Sequence, residues 1–261
     1  MIIETHAHYD DEKFDADRAG LLSALRESKI EKLINVGASF KGCEDSVKLA
    51  HEYDFIYAAV GVHPSDIEDL EAAPEERMNW LLDTAKNDPK VVAVGEIGLD
   101  YYWDREEEVQ KKQREWFKKQ LEIAREADLP VIIHSRDAAQ DTMEIMKEAK
   151  ENGIRGVLHC YSYSPDQARE YVKMGYYIGV GGVVTFKNGK KLQQTVAETP
   201  LEHILLETDS PYLSPEPNRG KRNDSRNLHY IAEKIAKIKG ITKEEVCERT
   251  KDNARVLFTK L

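Results

Sequence analysis

Near the start of the chain, Thr5-His6-Ala7-His8 places two histidines one residue apart. On an extended strand residues i and i+2 share a face, so two imidazoles at this spacing can reach one ion. A lone His-x-His is a weak motif, but it has company. Among the eight histidines, His63, His134 and His159 also stand at the ends of apolar runs. Two carboxylates join them, Glu96 in Val-Gly-Glu-Ile-Gly-Leu-Asp and Asp209 in Leu-Leu-Glu-Thr-Asp-Ser-Pro. Both follow apolar segments that should carry them inward, where an unpaired acid is costly. Taken singly, each residue reads as a hydrogen-bonded histidine, a salt bridge or a helix cap. Taken together, His6, His8, His134, His159, Glu96 and Asp209 read as metal ligands. Six protein donors are too many for one catalytic ion that keeps an open position. Two divalent ions bridged by Glu96 and a hydroxide use all six and leave room for water and substrate. Nitrogen and oxygen donors suit Zn, Mn, Co or Mg without choosing among them. Cys160 adjoins His159, and since adjacent strand residues point opposite ways it reads as buried packing.

Something must bring these residues together. Short Val- and Ile-rich runs recur eight times, at 2–8, 32–38, 55–62, 91–99, 130–135, 156–160, 176–182 and 204–209. Near-continuous apolar character suits parallel strands buried on both faces. Charged segments with helical spacing lie between them, at 17–28, 75–86, 106–127, 138–149 and 165–174, and two more follow at 227–238 and 242–258. In 106–127, Trp116, Phe117, Gln120, Leu121 and Ala124 form an apolar stripe. Strands alternating with helices imply βαβ units, and eight of them close an α/β, TIM-type (β/α)8 barrel. An open doubly wound sheet would need a Gly-rich fingerprint after the first strand, where His-Ala-His-Tyr-Asp stands instead. In a barrel all strand C-termini open on one face, so the five strand-end histidines converge on one mouth.

Composition sets the outer bounds. The chain has 261 residues, 41% hydrophobic and 33% charged, with a net charge of −10. With no linker-like stretch, a single domain over 1–261 is expected. Mean hydropathy is −0.61, and no apolar run approaches a membrane span. The start, MIIETHAHYD, has no secretory pattern, and three widely spaced cysteines (Cys43, Cys160, Cys247) rule out a disulfide framework. A cytoplasmic protein is expected. Gly179-Val180-Gly181-Gly182 lacks the spacing of a phosphate loop, so no nucleotide cofactor is expected. The acidic balance argues against coating nucleic acid by charge alone. It does not argue against cutting one phosphate at a time where two divalent ions face the mouth.

The motifs, in their order, resemble the TatD family of metal-dependent hydrolases over essentially the whole chain. They are Thr5-His6-Ala7-His8, Gly61-Val62-His63-Pro64, Gly95-Glu96-Ile97-Gly98-Leu99-Asp100, Ile133-His134-Ser135-Arg136, His159-Cys160-Tyr161-Ser162, Glu207-Thr208-Asp209-Ser210-Pro211, Arg219-Gly220-Lys221-Arg222-Asn223 and Asn253-Ala254-Arg255-Val256-Leu257-Phe258. The resemblance implies His6, His8, Glu96 and Asp209 around one ion and Glu96, His134 and His159 around the other. It implies a deoxyribonuclease, of 3′-end exonuclease or repair type, with single-stranded DNA or DNA ends as substrate. The chain departs from the family pattern at Glu4, where Asp is usual, and at Asp224-Ser225, where Glu-Pro is common. Asp209 is the expected orienting group and proton acceptor for the attacking water, and His63, Arg136 and Arg222 are the expected substrate contacts. Tyr101, Tyr102 and Trp103 are placed either to stack on bases or to pack. A monomer fits, and no membrane partner is expected. The same barrel and ions also activate water against carbon, so hydrolysis of a small amide, lactone or nucleobase is the competing activity, and a non-catalytic metal-binding scaffold the third reading.

Overall fold

The computed structural model describes all residues, Met1–Leu261. Eight parallel strands occur in one sheet in chain order: β1 (Ile2–Ala7), β2 (Ile30–Val36), β3 (Ile56–Val60), β4 (Val91–Asp100), β5 (Val131–Arg136), β6 (Gly156–Leu158), β7 (Tyr177–Val180) and β8 (Ile204–Leu206). The helices are α1 (Arg18–Glu27), α2 (Phe40–Glu52), α3 (Ile67–Ala72), α4 (Pro74–Asn87), α5 (Glu107–Ala127), α6 (Ala139–Glu151), α7 (Pro165–Lys173), α8 (Lys190–Glu198), α9 (Leu228–Lys239) and α10 (Lys243–Leu257). At least one helix follows every strand, so the expected TIM-type (β/α)8 barrel is the fold. All eight expected strands are found within a few residues of their expected ends. The reason is their two-sided burial: every residue of β4, VVAVGEIGLD, is buried.

Helix ends follow local chemistry. Pro165 opens α7 behind Ser164, whose hydroxyl accepts from the Gln167 N–H, and α5 ends at Asp128 in left-handed backbone (φ 51°). Three helices, α2, α3 and α8, have no counterpart among the expected helical segments. The buried face of α2 is Gly42, Cys43, Ser46, Leu49 and Ala50, and that of α8 is Leu192, Thr195 and Val196. The face of α2 consists mostly of small residues, and α8, with 9 residues, is too short to repeat its apolar pattern.

Contacts divide the chain into two compact units: Met1–Asn35 with Cys160–Val256, and Val36–His159 with Leu257–Leu261. In the first, β7 pairs with β8, β1 pairs with β2, and an Ala7–Ser210 bridge links β1 to the chain leaving β8. The second contains β3, β4, β5 and β6 paired in succession. One expectation fails here. Cys160 lies beyond β6 in left-handed backbone (φ 42°) and is only half-buried. Strand alternation has ended before it, so the argument for buried packing does not apply.

Candidate metal centre

In the second unit, Glu96 on β4 is buried to 4% exposure, and its Oε1 faces three imidazoles. His134 Nδ1 on β5 is 2.9 Å away, His159 Nε2 just past β6 is 3.8 Å away, and His63 Nε2, past β3, is 3.9 Å away. The second nitrogen of His134, Nε2, is 3.0 Å from Asp100 Oδ2. Asp100 lies four residues beyond Glu96, so strand alternation puts both on one face. A carboxylate behind a histidine fixes its tautomer and ring orientation. With Nε2–H donated to Asp100, the protonated ring donates Nδ1–H to Glu96, and loss of that proton frees the Nδ1 lone pair for an ion.

His134 reaches this position because β4 and β5 approach closely. Gly98, at φ +147°, pairs with His134 in the ladder, and a Cβ added there would lie 1.9 Å from the His134 carbonyl oxygen. Burial by itself would lower the His134 pKa; the hydrogen bonds with Asp100 and Glu96 outweigh it and hold the imidazole above its ordinary value. Burial likewise opposes ionisation of Asp100, but its bonds with His134 and the Trp103 N–H hold it below the usual carboxylate range. His63 Nδ1 accepts from the Ser65 N–H at 3.1 Å, so the neutral ring carries its proton on Nε2, toward Glu96.

In the first unit, His6 Nε2 and His8 Nε2 lie 3.0 Å apart, with Asp209 Oδ1 at 3.9 and 3.4 Å. Their shared direction is the i, i+2 geometry of β1. Asp209 stands in left-handed backbone (φ 59°), and its N–H donates to the His6 carbonyl at 2.9 Å. Non-Gly residues in this region concentrate at functional sites. Behind them lies Glu4, fully buried. Its Oε1 accepts from the Thr208 N–H at 2.9 Å and the His6 N–H at 3.2 Å, and its Oε2 accepts from the Thr208 hydroxyl at 2.7 Å. Burial pushes its pKa up to about 8, against these hydrogen bonds. The departure from Asp at position 4 thus gives a carboxyl that ties the His6 backbone to the segment carrying Asp209. Asp224 caps the turn Ser225–Asn227, accepting from the Arg226 N–H, and pairs with the Arg226 guanidinium at 2.8 Å.

The donors suit divalent ions. Imidazole nitrogens and carboxylate oxygens are directed at one another from separate elements, and two Nε2 atoms at 3.0 Å can share only one proton. His63, Asp100 and His134 also offer ligand atoms within 4.8 Å of one another. Each unit therefore gathers its own sequence-predicted ligands, Glu96, His134 and His159 in one and His6, His8 and Asp209 in the other. Arg136 is stacked on the Tyr102 ring at 3.9 Å. Arg222 is not joined to the cluster: it makes a bidentate pair with Asp17 at 2.8 and 2.6 Å and donates to the Lys13 carbonyl. Asp100 has no role in the motif reading, and Glu4 reads there only as a deep residue that adjusts packing behind the ligands. Period-two spacing from Glu96 and His6 is the signal that finds them.

Asp100→Asn is expected to weaken metal binding about 10- to 100-fold, the usual cost of losing such an orienting carboxylate. Metal must displace the proton that His134 holds, so in the parent protein affinity falls as pH drops through the raised His134 value. Removing the Asp100 charge moves that fall to lower pH. Metal titrations across pH check both effects.

A (β/α)8 fold with facing histidines and buried carboxylates defines a metal-dependent hydrolase class. The family described as TatD related DNase matches residues 3–259, and the chain belongs to that family. It is 42% identical over 258 residues to the uncharacterized metal-dependent hydrolase YabD of Bacillus subtilis, with 99% of each chain covered. It is 35% identical to the uncharacterized metal-dependent hydrolase YcfH of Escherichia coli K12, covering 99% of this chain and 96% of the relative. The crystal structure of the TatD homologue YjjV of E. coli superposes with a TM-score of 0.90 at 30% identity, covering 99% of this chain and 98% of that one. The chain is a TatD-family metal-dependent hydrolase. None of its helices is long and apolar enough to cross a membrane.

Proposed function

We propose that this hydrolase cleaves DNA phosphodiester bonds, as a 3′-end exonuclease or repair-type nuclease, with water activated by two divalent ions. The observation that carries the reading is Glu96, a buried carboxylate faced by imidazole nitrogens of His63, His134 and His159 within 4 Å. A donor set of this kind, repeated by His6, His8 and Asp209, exceeds what one catalytic ion with an open position uses. We assign His6, His8 and Asp209 to one ion, His134 and His159 to the other, and Glu96 to both. Ions held there supply a nucleophilic water near neutral pH and positive charge against the phosphate.

The protein's own groups do the rest. Asp209, with 17% of its side chain exposed, can accept the proton of the attacking water. His63, whose Nε2–H faces Glu96 at 3.9 Å, is the group we assign to turn that proton to a phosphate or leaving oxygen when substrate is bound. Arg136 supplies a cation for a neighbouring phosphate. The family description, TatD related DNase, favours DNA over a carbon-centred substrate.

The test is hydrolysis of single-stranded, nicked and abasic DNA, RNA, and a panel of small amides and lactones. Chelation is expected to reduce DNA cleavage to background, and Mn, Zn, Co or Mg to restore it. Turnover of an amide or lactone with no DNA cleavage overturns the nuclease reading in favour of an amidohydrolase. Full DNA cleavage after complete metal removal overturns the metal mechanism.

A further inference from the structure

The turn leaving β4 exposes two aromatic rings beside the second-unit cluster. Trp103 is 67% exposed and Tyr102 37%, among the few large apolar side chains left in solvent. Their rings meet edge to face at 4.7 Å. The Arg136 guanidinium lies 3.9 Å from the Tyr102 ring centroid and 5.6 Å from that of Trp103. Packing does not explain an indole held two-thirds in water.

Its placement is anchored to the cluster. Asp100 Oδ1 accepts from the Tyr102 N–H at 3.0 Å and the Trp103 N–H at 3.2 Å, while Asp100 Oδ2 contacts His134 Nε2 at 3.0 Å. One carboxylate thus fixes both the aromatic turn and the orientation of His134. On the other side, the Tyr101 N–H donates to the Arg136 carbonyl at 2.9 Å. The backbone of the turn is therefore held at both edges, and its two rings meet each other and the Arg136 guanidinium.

We propose that Trp103, Tyr102 and Arg136 form a stacking shelf for one unpaired nucleobase of the strand being cut, and that it makes the enzyme discriminate against a nucleotide lacking its base. This rests on the nuclease reading. A flat π-face receives any base, and a cation beside it meets the phosphate that every base brings with it. A base paired and stacked inside a duplex does not present its face to the shelf.

The experiment compares the parent protein, Trp103→Ala and Trp103→Phe on a short single-stranded oligonucleotide and on a set of copies carrying one abasic nucleotide at each position in turn. Stacking on one base predicts a rise in KM of about 10-fold for Trp103→Ala, with most of the effect recovered in Trp103→Phe. In the parent, one abasic position raises KM by a similar factor; in Trp103→Ala that position loses its effect, because ring and base act as a pair. Melting temperature checks that the exposed substitution leaves folding intact. An unchanged KM in Trp103→Ala, or an abasic series without a sensitive position, overturns the shelf. If no oligonucleotide is cleaved at all, the nuclease reading fails. Fluorescence anisotropy of the labelled oligonucleotide then decides the shelf separately: binding lost in Trp103→Ala and kept in Trp103→Phe supports it, and absent or unaffected binding overturns it.

Discussion

On the proposed two-ion nuclease reading, Glu96→Gln is expected to lower DNA cleavage by about 10³-fold or more and to reduce bound metal from two ions toward one. Metal catalysis contributes several kcal/mol of charge stabilisation, and each 1.4 kcal/mol is a factor of ten. The amide keeps the shape of the carboxylate and one oxygen, but it loses the negative charge and places a donor NH₂ among nitrogens that would face a cation. At 4% exposure, bulk solvent contributes little to offset that loss. The fold should survive, since Gln matches Glu in volume and its amide oxygen can still accept from His134 Nδ1–H. Metal analysis with cleavage kinetics on the same preparation checks the pair of effects. Retention of both ions and full activity would show that Glu96 is a structural acid only.

Gly98→Ala is expected to be the most damaging of the small substitutions. Its Cβ would fall 1.9 Å from the His134 oxygen and 2.9 Å from the carbonyl carbon, on backbone at φ +147° that L side chains rarely adopt. Backbone cannot step aside as a flexible side chain does. Overpacking costs about 1–3 kcal/mol and the strained conformation a similar amount, so a loss of about 3 kcal/mol and a fall in Tm of roughly 6–12 °C are expected. The displaced strand is the one carrying His134, so metal affinity falls with stability. Gly20→Ala is the contrast. Nothing lies within 4 Å of a Cβ at Gly20 in α1, and that substitution should leave Tm unchanged or raise it slightly. Thermal melts of both variants, with and without metal, separate the local clash from a general intolerance of substitution.

Much of the site is legible before any coordinates. Strands buried on both faces produce unbroken apolar runs, and their ends are where His6, His134 and His159 stand. The period of two along a strand then puts His8 with His6, and it would have put Asp100 with Glu96 had it been carried four residues further. What escaped has a common cause. Arg222 looks like a free basic residue until the chain brings Asp17 against it, and Cys160 looks like a strand residue until the backbone turns left-handed one residue past His159. The buried face of α2 is mostly small residues, and α8 is only 9 residues long, too short to repeat its apolar pattern.

The amino-acid order, then, is sufficient for the alternation of strands and helices, for the ligand types and for the end of each strand on which they stand, because these follow from periods of 2 and 3.6 and from hydropathy. It does not settle which nitrogen of His134 faces Glu96, whether Glu4 is ionised, which arginine is occupied, or whether Trp103 is packed or presented to solvent. Those depend on partners far apart in the chain, Asp100 with His134, Glu4 with Thr208, Arg222 with Asp17, whose meeting is decided only when the strands and loops are brought together.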